Sequence, residues 1–460
     1  MQEVAPDVRE RPNTLLAGGV SRARLVGSAF ALLACVAVPL FTLSDPVLAR
    51  GCAVAAAYLV LALTEVVPPF VPTLVLLVAA PLSLGSLHPG FSLQEVFRWP
   101  ADPVLALFAG GLTLGAAMHR HGIDAAMARG IIAIARGQRR GLLAWVLVGT
   151  AFMSMWMSNI AAAAMFLAVL RPILQHASTP APFRRALLLA VAMGANLGGL
   201  GTPIGSGPNA LAMAAIEDRY VISFAHWMLF GTPLAFGMLL VAFGILVFRY
   251  RVAGEFASME YAAVPLGRRF VSVIVVFALT VVAWLSESLH GISAPLVALA
   301  LCLALFGTGL LDRQDLHALD WSTLGLIAGG ISLGRLLDRT GLFAQLTEVH
   351  WNALPRFAWL GTLVFASASL SAVMSNTGTA ALLIPLALAV DPEPGTAVLI
   401  AVAASFGVPF SVSTPQNAMV YGEGGLTSGD LLWIGLPVML IGCVLLTLTG
   451  GPTLRFLGIP

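Results

Sequence analysis

The sequence has no lysine, only four cysteines and few charges of either sign. Charged residues make up 10% of its 460 positions and hydrophobic ones 58%, which leaves too little polar surface to enclose a water-soluble fold. The chain is therefore expected in a lipid bilayer. All 24 basic residues are arginine, a matter of base composition, and the formal net charge of +2 gives no ground for a nucleic-acid partner. Cys35, Cys52, Cys302 and Cys443 lie inside apolar runs without a CxxC or Cys–His pairing, which argues against a zinc site or a disulfide framework. They read as small packing residues. No HExxH motif and no nucleophile with a partnering base appears, so the chain is not read as an enzyme. The first 21 residues carry Glu3, Asp7, Arg9, Glu10 and Arg11, unlike the basic stretch and apolar core of a signal peptide.

What the sequence does have is apolar runs. A spanning helix needs ~20 apolar residues, and such runs lie at roughly 25–44, 52–67, 70–86, 102–118, 184–217, 227–248, 270–286, 293–311, 321–337, 395–420 and 431–450. Two further stretches, about 142–174 and 357–390, are too long for one span and short for two. Ser158-Asn159 and Ser375-Asn376 interrupt them, and these residue types favour helix N-caps over helix interiors. The pattern predicts two re-entrant helical hairpins. Irregular backbone at membrane depth is tolerated only where it is buried in protein or lines a cavity, so the tips mark a site.

With the N-terminus inside, 17 of the 24 arginines fall on cytoplasmic segments, which predicts a cytoplasmic N-terminus and an outside C-terminus. The motifs also repeat in order. Leu107–Gly115 matches Leu326–Gly334, Met157-Ser-Asn159 matches Met374-Ser-Asn376, and Gly205-Ser-Gly-Pro-Asn209 matches Ser413-Thr-Pro-Gln-Asn417, at offsets of 219, 217 and 208 residues. Five crossings per copy is an odd number, so the second copy is expected upside down. The predicted organisation is a tail at 1–24, a first transmembrane helix at 25–50 and a first repeat at 51–252 with a cytoplasmic-side hairpin. A cytoplasmic linker at 253–269 and a second, inverted repeat at 270–460 with an outer-side hairpin complete it. The fold class is an all-α polytopic membrane protein with about 11 transmembrane helices and two hairpins.

At each tip one helix ends and another begins. The ending helix directs carbonyl oxygens and negative dipole at the break, which suits a hard cation. The starting helix offers free N–H groups and positive dipole, which suits an oxyanion. Gly194–Asn209 is too rich in Gly and Pro for a continuous helix, and a second break is expected near Ser413–Asn417. No Asp or Glu sits at either tip and no Arg or His lies in the four motifs, so co-bound cations are the natural charge compensation for an anion. Glu65, Glu287 and Asp338 lie near predicted span ends and read as interfacial rather than as proton relays.

Thr64-Glu65-Val-Val-Pro68, the paired tips and Ala404-Ser-Phe-Gly-Val-Pro-Phe-Ser-Val-Ser-Thr-Pro-Gln-Asn-Ala-Met-Val420 together resemble the divalent anion:sodium symporter family. That family, within the ion transporter superfamily, includes bacterial dicarboxylate transporters. The resemblance covers nearly the whole chain after the tail. It implies sodium-coupled uptake of a small divalent anion such as succinate, malate or fumarate, an elevator-type motion, a homodimer in a bacterial inner membrane, and no cofactor. By position, one sodium site would comprise Ser154, Ser158, Asn159 and the backbone at Gly205, and a second Ser371, Asn376 and the backbone at Met374 and Ser413. Substrate carboxylates would meet Ser158, Asn159, Ser206, Ser375, Asn376, Thr377 and Thr414. Ile160 stands where the family usually has Thr, which is expected to alter specificity; Gly207 and Gln416 replace Pro in the family's Pro-Pro-Asn pattern. Alternatives are a sodium-independent dicarboxylate exchanger, a sulfate or other oxyanion carrier, and, from another class, an anion channel.

Overall fold

The computed structural model describes residues 22–256, 267–342, 345 and 355–460. Most of the expected N-terminal tail, and residues 257–266 of the expected linker, lie outside them. The described residues are helical with no strand; Gln138 and Glu255 form an isolated bridge. In chain order the main helices are α1 (Arg22–Thr42), α2 (Pro46–Thr64), α3 (Val71–Leu84), α4 (Pro103–Arg120), α5 (Ile123–Ile134) and α6 (Arg139–Ser154). They continue with α7 (Asn159–Gln175), α8 (Ala181–Gly198), α9 (Gly207–Ile216), α10 (Phe224–Tyr250), α11 (Arg268–Leu285) and α12 (Ala294–Gly307). The last are α13 (Trp321–Arg339), α14 (Arg356–Ser371), α15 (Asn376–Val390), α16 (Pro394–Ala404), α17 (Pro415–Gly422) and α18 (Ser428–Leu445).

Local chemistry sets many of the starts. Asp45 accepts from Val47 N at 2.8 Å and Asp102 from Val104 N at 3.0 Å, each just ahead of a proline at the first helical position. Thr427 and Asp430 form a reciprocal capping box at α18. Among the described residues, five helices are long and apolar enough to cross a membrane: those over Leu25–Thr42, Pro46–Thr64, Phe224–Tyr250, Arg268–Leu285 and Ser428–Phe456. Their outer faces are apolar and open, as at Phe30, Phe41, Leu279 and Phe248. In water such faces would be costly, whereas hydrocarbon accommodates them.

At the opposite extreme are α8 and α16. Every residue from Ala186 to Gly198 is buried, and so is all of Pro394–Ala404. Each of these central helices carries a helical pair: α6 and α7 on α8, α14 and α15 on α16. Gly194 and Gly198 let α6 approach closely, since a Cβ on Gly194 would lie 2.6 Å from the Leu147 carbonyl oxygen. On the other side Gly407 does the same service against Ser371, with 2.6 Å to its Cβ, and Ser367 Oγ donates to Ile400 O at 3.0 Å.

After α8 and α16 the chain unwinds and then resumes as α9 and α17. Here the halves exchange. Helix α9 packs on α15 and α16, while α17 packs on α7 and α8. Each broken span therefore begins against its own hairpin and ends against the other one. A second, smaller core joins α2, α3 and α13 around Tyr58, Leu76 and Leu333, fixed by Thr73 Oγ1 donating to Gly325 O at 2.7 Å. Helix α5 was not legible as a hydrophobic run. Its 12 residues bury one face, Ile123, Ala128 and Ile132, and mix Asp124 and Arg129 into the sequence.

Candidate functional site

Four breaks in helices converge in the middle of this arrangement, and they have matching construction. Helix α6 stops at Ser154 and α7 starts at Asn159, with Ser158 as N-cap accepting from Ala161 N at 3.2 Å. Likewise α14 stops at Ser371 and α15 starts at Asn376, with Ser375 accepting from Gly378 N at 3.1 Å. The serine hydroxyls do what the sequence leads one to expect of them, satisfying a free N–H at a helix start. The paired helices pack on each other, so each break is the turn of a hairpin.

Across each turn a serine faces an asparagine. Ser154 Oγ lies 2.5 Å from Asn159 Oδ1 and 2.6 Å from Ala195 O. Ser371 Oγ lies 2.8 Å from Asn376 Oδ1. A hydroxyl carries one hydrogen, so Ser154 can satisfy one of its two oxygen neighbours. A Cβ on Gly199 would fall 2.9 Å from both Asn159 Oδ1 and Gly205 O, which brings that carbonyl to the same place. The geometry therefore gathers Ser154, Asn159 and Gly205 into one cluster with more acceptor oxygens than hydrogens, a composition that suits a hard cation.

The unwound segments hang from their own tips by equivalent bonds. Thr202 Oγ1 donates to Met155 O at 2.5 Å, and Ser413 Oγ to Ala372 O at 2.6 Å. Asn209 Nδ2 donates to Gly199 O and Thr202 O, both at 2.8 Å. Asn417 Nδ2 donates to Val408 O and Phe410 O, both at 3.0 Å. Each asparagine thus spans its own break and holds the loop in shape, so the backbone polar groups of irregular segments find partners.

The remaining predicted positions divide as follows. Ser206, buried, has a hydroxyl without a partner among the described residues, and Gly207 beside it rests on Thr377. This contact joins the first unwound segment to the second tip. Thr414 is buried and caps α17, accepting from Asn417 N at 3.3 Å. Met374 is half-buried within the second turn, and Ser413, through Ala372, stands next to the Ser371–Asn376 pair. Ile160 is 38% exposed on the first turn of α7; its counterpart Thr377 is half-buried. Of the acidic positions near span ends, Glu65 follows the end of α2, Glu287 sits in the short connection between α11 and α12, and Asp338 is in the last turn of α13.

The four break segments, 154–160, 199–209, 371–379 and 405–417, hold no charged residue. Their electrostatics are those of dipoles: α6, α8, α14 and α16 end there, and α7, α9, α15 and α17 begin there. Sequence reasoning missed three features. One is the partner role of the Ala195 carbonyl, invisible in side-chain patterns. Another is a buried amide cluster of Asn196, Gln416 and Asn417, with Asn196 Nδ2 to Asn417 Oδ1 at 2.9 Å and Gln416 Nε2 to Asn196 Oδ1 at 2.6 Å. The last is a cavity of about 350 Å³ between α9, α13 and α15. Its wall runs from Leu211 and Ala380, close in sequence to Asn209 and Thr377, to Arg335, Asp102 and Glu217.

A family model described as "citrate transporter" matches residues 59–407 and, in a second match, 274–457. The inorganic phosphate transporter PHO87 of Saccharomyces cerevisiae is 25% identical over 374 residues, 76% of this chain and 40% of the yeast protein. The sodium-dependent dicarboxylate transporter SdcS of Staphylococcus aureus is 25% identical over 437 residues, 84% of this chain and 82% of its own. The crystal structure of the Alcanivorax borkumensis YdaH transporter aligns with a TM-score of 0.57 at 16% identity, over 84% of this chain and 98% of that one. That likeness concerns the fold alone. The resemblance read from the motifs holds, and the chain is an integral membrane transporter that belongs to the citrate transporter family of the ion transporter superfamily.

Proposed function

We propose that the protein is a sodium-coupled symporter of a small divalent anion, most economically a C4-dicarboxylate such as succinate, malate or fumarate. The observation that carries this reading is the pair of serine–asparagine contacts, Ser154–Asn159 and Ser371–Asn376. Each lies where one helix ends, so that oxygen atoms and negative dipole meet at one point. Sodium at Ser154, Asn159 and Gly205, and at Ser371, Asn376 and Ser413, would supply the positive charge that these segments lack. Substrate carboxylates would then meet the free N–H groups of α7 and α15 and the hydroxyls of Ser158, Ser206, Ser375, Thr377 and Thr414. The sodium-dependent dicarboxylate transporter among the relatives supports the same assignment. In this reading the hairpins enter from opposite faces and move with α8 and α16 against a dimeric scaffold, with the N-terminus in the cytoplasm.

A second reading is carriage of an oxyanion such as phosphate. It is favoured by the phosphate transporter among the relatives and by Ile160, which takes a hydroxyl away from one tip. Uptake of labelled succinate into proteoliposomes, with sodium or potassium outside and with phosphate, sulfate, citrate or aspartate as competitors, decides between them. Sodium-dependent uptake resistant to phosphate is the expected result. Equal uptake in potassium removes symport, and flux far above carrier turnover points to a channel.

A further inference from the structure

The two proposed cation clusters lie in different repeats, yet a line of polar contacts joined by short stretches of backbone runs between them. Ser154 Oγ contacts the carbonyl of Ala195 at 2.6 Å. The next residue, Asn196, donates from Nδ2 to Asn417 Oδ1 at 2.9 Å and accepts at Oδ1 from Gln416 Nε2 at 2.6 Å. Asn417 in turn holds Val408 O and Phe410 O. Ser413, a few residues on in the same unwound segment, holds Ala372 O beside the Ser371–Asn376 pair. Asn196, Gln416 and Asn417 are 2%, 3% and 0% exposed, so water does not substitute for any member.

The fold does not require this triad. Asn209 is the first-repeat counterpart of Asn417 and makes two loop bonds of the same kind, but its Oδ1 is buried without a partner among the described residues. At the 208-residue offset the counterpart of Asn196 is Ala404, and that of Gln416 is Pro208. The cluster exists on one side only, built from residues this chain places there.

We infer that the Asn196–Gln416–Asn417 triad couples the two cation sites, so that occupation of one prepares the other; the inference rests on the sodium reading above. Asn196 and Gln416 are then positioning residues for cooperative sodium binding. The physical reason is geometric. Buried amides are satisfied in a narrow set of orientations, and leaving one unsatisfied is unfavourable. A cation that fixes Ser154, Asn159 and the Ala195 carbonyl fixes the backbone of Asn196. Through the triad this orders the loop from Val408 to Ser413, and the second cation binds a segment already arranged. Such coupling is reciprocal, and it appears as a Hill coefficient above one.

The test is the sodium dependence of succinate uptake in proteoliposomes, together with sodium-induced thermal stabilisation of the detergent-solubilised protein without succinate. Wild type is expected to show a Hill coefficient approaching roughly 2, the number of coupled sites. Gln416→Met keeps side-chain length and removes both polar atoms. It is expected to lower the coefficient to about 1, with the maximal rate nearly retained and the sodium concentration for half-maximal stabilisation raised. Asn196→Ala should do the same, and Gln416→Met carries the test if Asn196→Ala does not fold. Tyr58→Phe removes a buried hydrogen bond to Leu326 O, in the other core and outside the amide triad, and should keep the wild-type coefficient. An unchanged coefficient in Gln416→Met, or a wild-type coefficient of one, overturns the coupling and leaves sodium symport standing. Wild-type uptake and stability indifferent to sodium overturn both.

Discussion

Gly207, the first residue of α9, lies against Thr377 of the second hairpin tip: a Cβ built on Gly207 would fall 3.2 Å from the Thr377 Cβ and closer to its hydroxyl. A glycine at this position allows the unwound segment of one repeat to touch the tip of the other. Gly207→Ala is therefore expected to displace Thr377 and raise the KM for dicarboxylate about tenfold, roughly 1.4 kcal/mol. The double variant Gly207→Ala/Thr377→Ser, whose unbranched side chain can rotate its hydroxyl away from the added methyl, should recover part of that loss. Unaltered KM in Gly207→Ala would show that this contact is not part of the substrate site.

Asn159 and Asn376 supply the amide oxygens that face Ser154 and Ser371. Asn159→Ala and Asn376→Ala are each expected to abolish sodium-driven uptake. Ser154→Ala and Ser371→Ala, which remove one weaker ligand apiece, should raise the half-saturating sodium concentration about tenfold, a loss of roughly 1.4 kcal/mol. Sodium titrations of uptake measure both. Sodium affinity unaffected in all four variants would place the cations elsewhere.

Ile160 and Thr377 occupy matching positions on α7 and α15, one apolar and 38% exposed, the other a half-buried hydroxyl. Ile160→Thr restores a hydrogen-bonding group to the first tip, and a site that bonds a substrate oxygen discriminates more strongly than an apolar one. It should shift relative affinity among succinate, malate, fumarate and phosphate by severalfold in competition uptake. An unchanged ranking means that position 160 does not line the pocket.

Gly194 faces α6 so closely that an added methyl would lie 2.6 Å from Leu147 O and 2.9 Å from Thr150 Cβ. In an open helix, Gly→Ala stabilises by about 0.5–1 kcal/mol. Here the new atom meets backbone that cannot rotate away, and overpacking costs about 1–3 kcal/mol, so the clash wins. Gly194→Ala is expected to lower the thermal unfolding temperature in detergent. A raised temperature would show that α6 and α8 can separate freely.

Much of the architecture is a direct consequence of sequence. Low charge and long apolar runs dictate a helical membrane protein, because backbone polar groups in hydrocarbon must be satisfied within the segment. Ser158, Ser375 and the Gly- and Pro-rich segments around Gly205 and Pro409 dictate where helices stop, since capping and backbone freedom are local properties. What only the tertiary structure decided is which breaks meet. Asn196 and Gln416 are 220 residues apart, and nothing local announces their bond; it exists because α17 crosses to pack on α8. The same holds for Gly207 and Thr377. A short-range signal fixes where a helix ends, whereas the neighbour of a buried side chain depends on how whole helices pack, and packing sums contacts from distant parts of the chain.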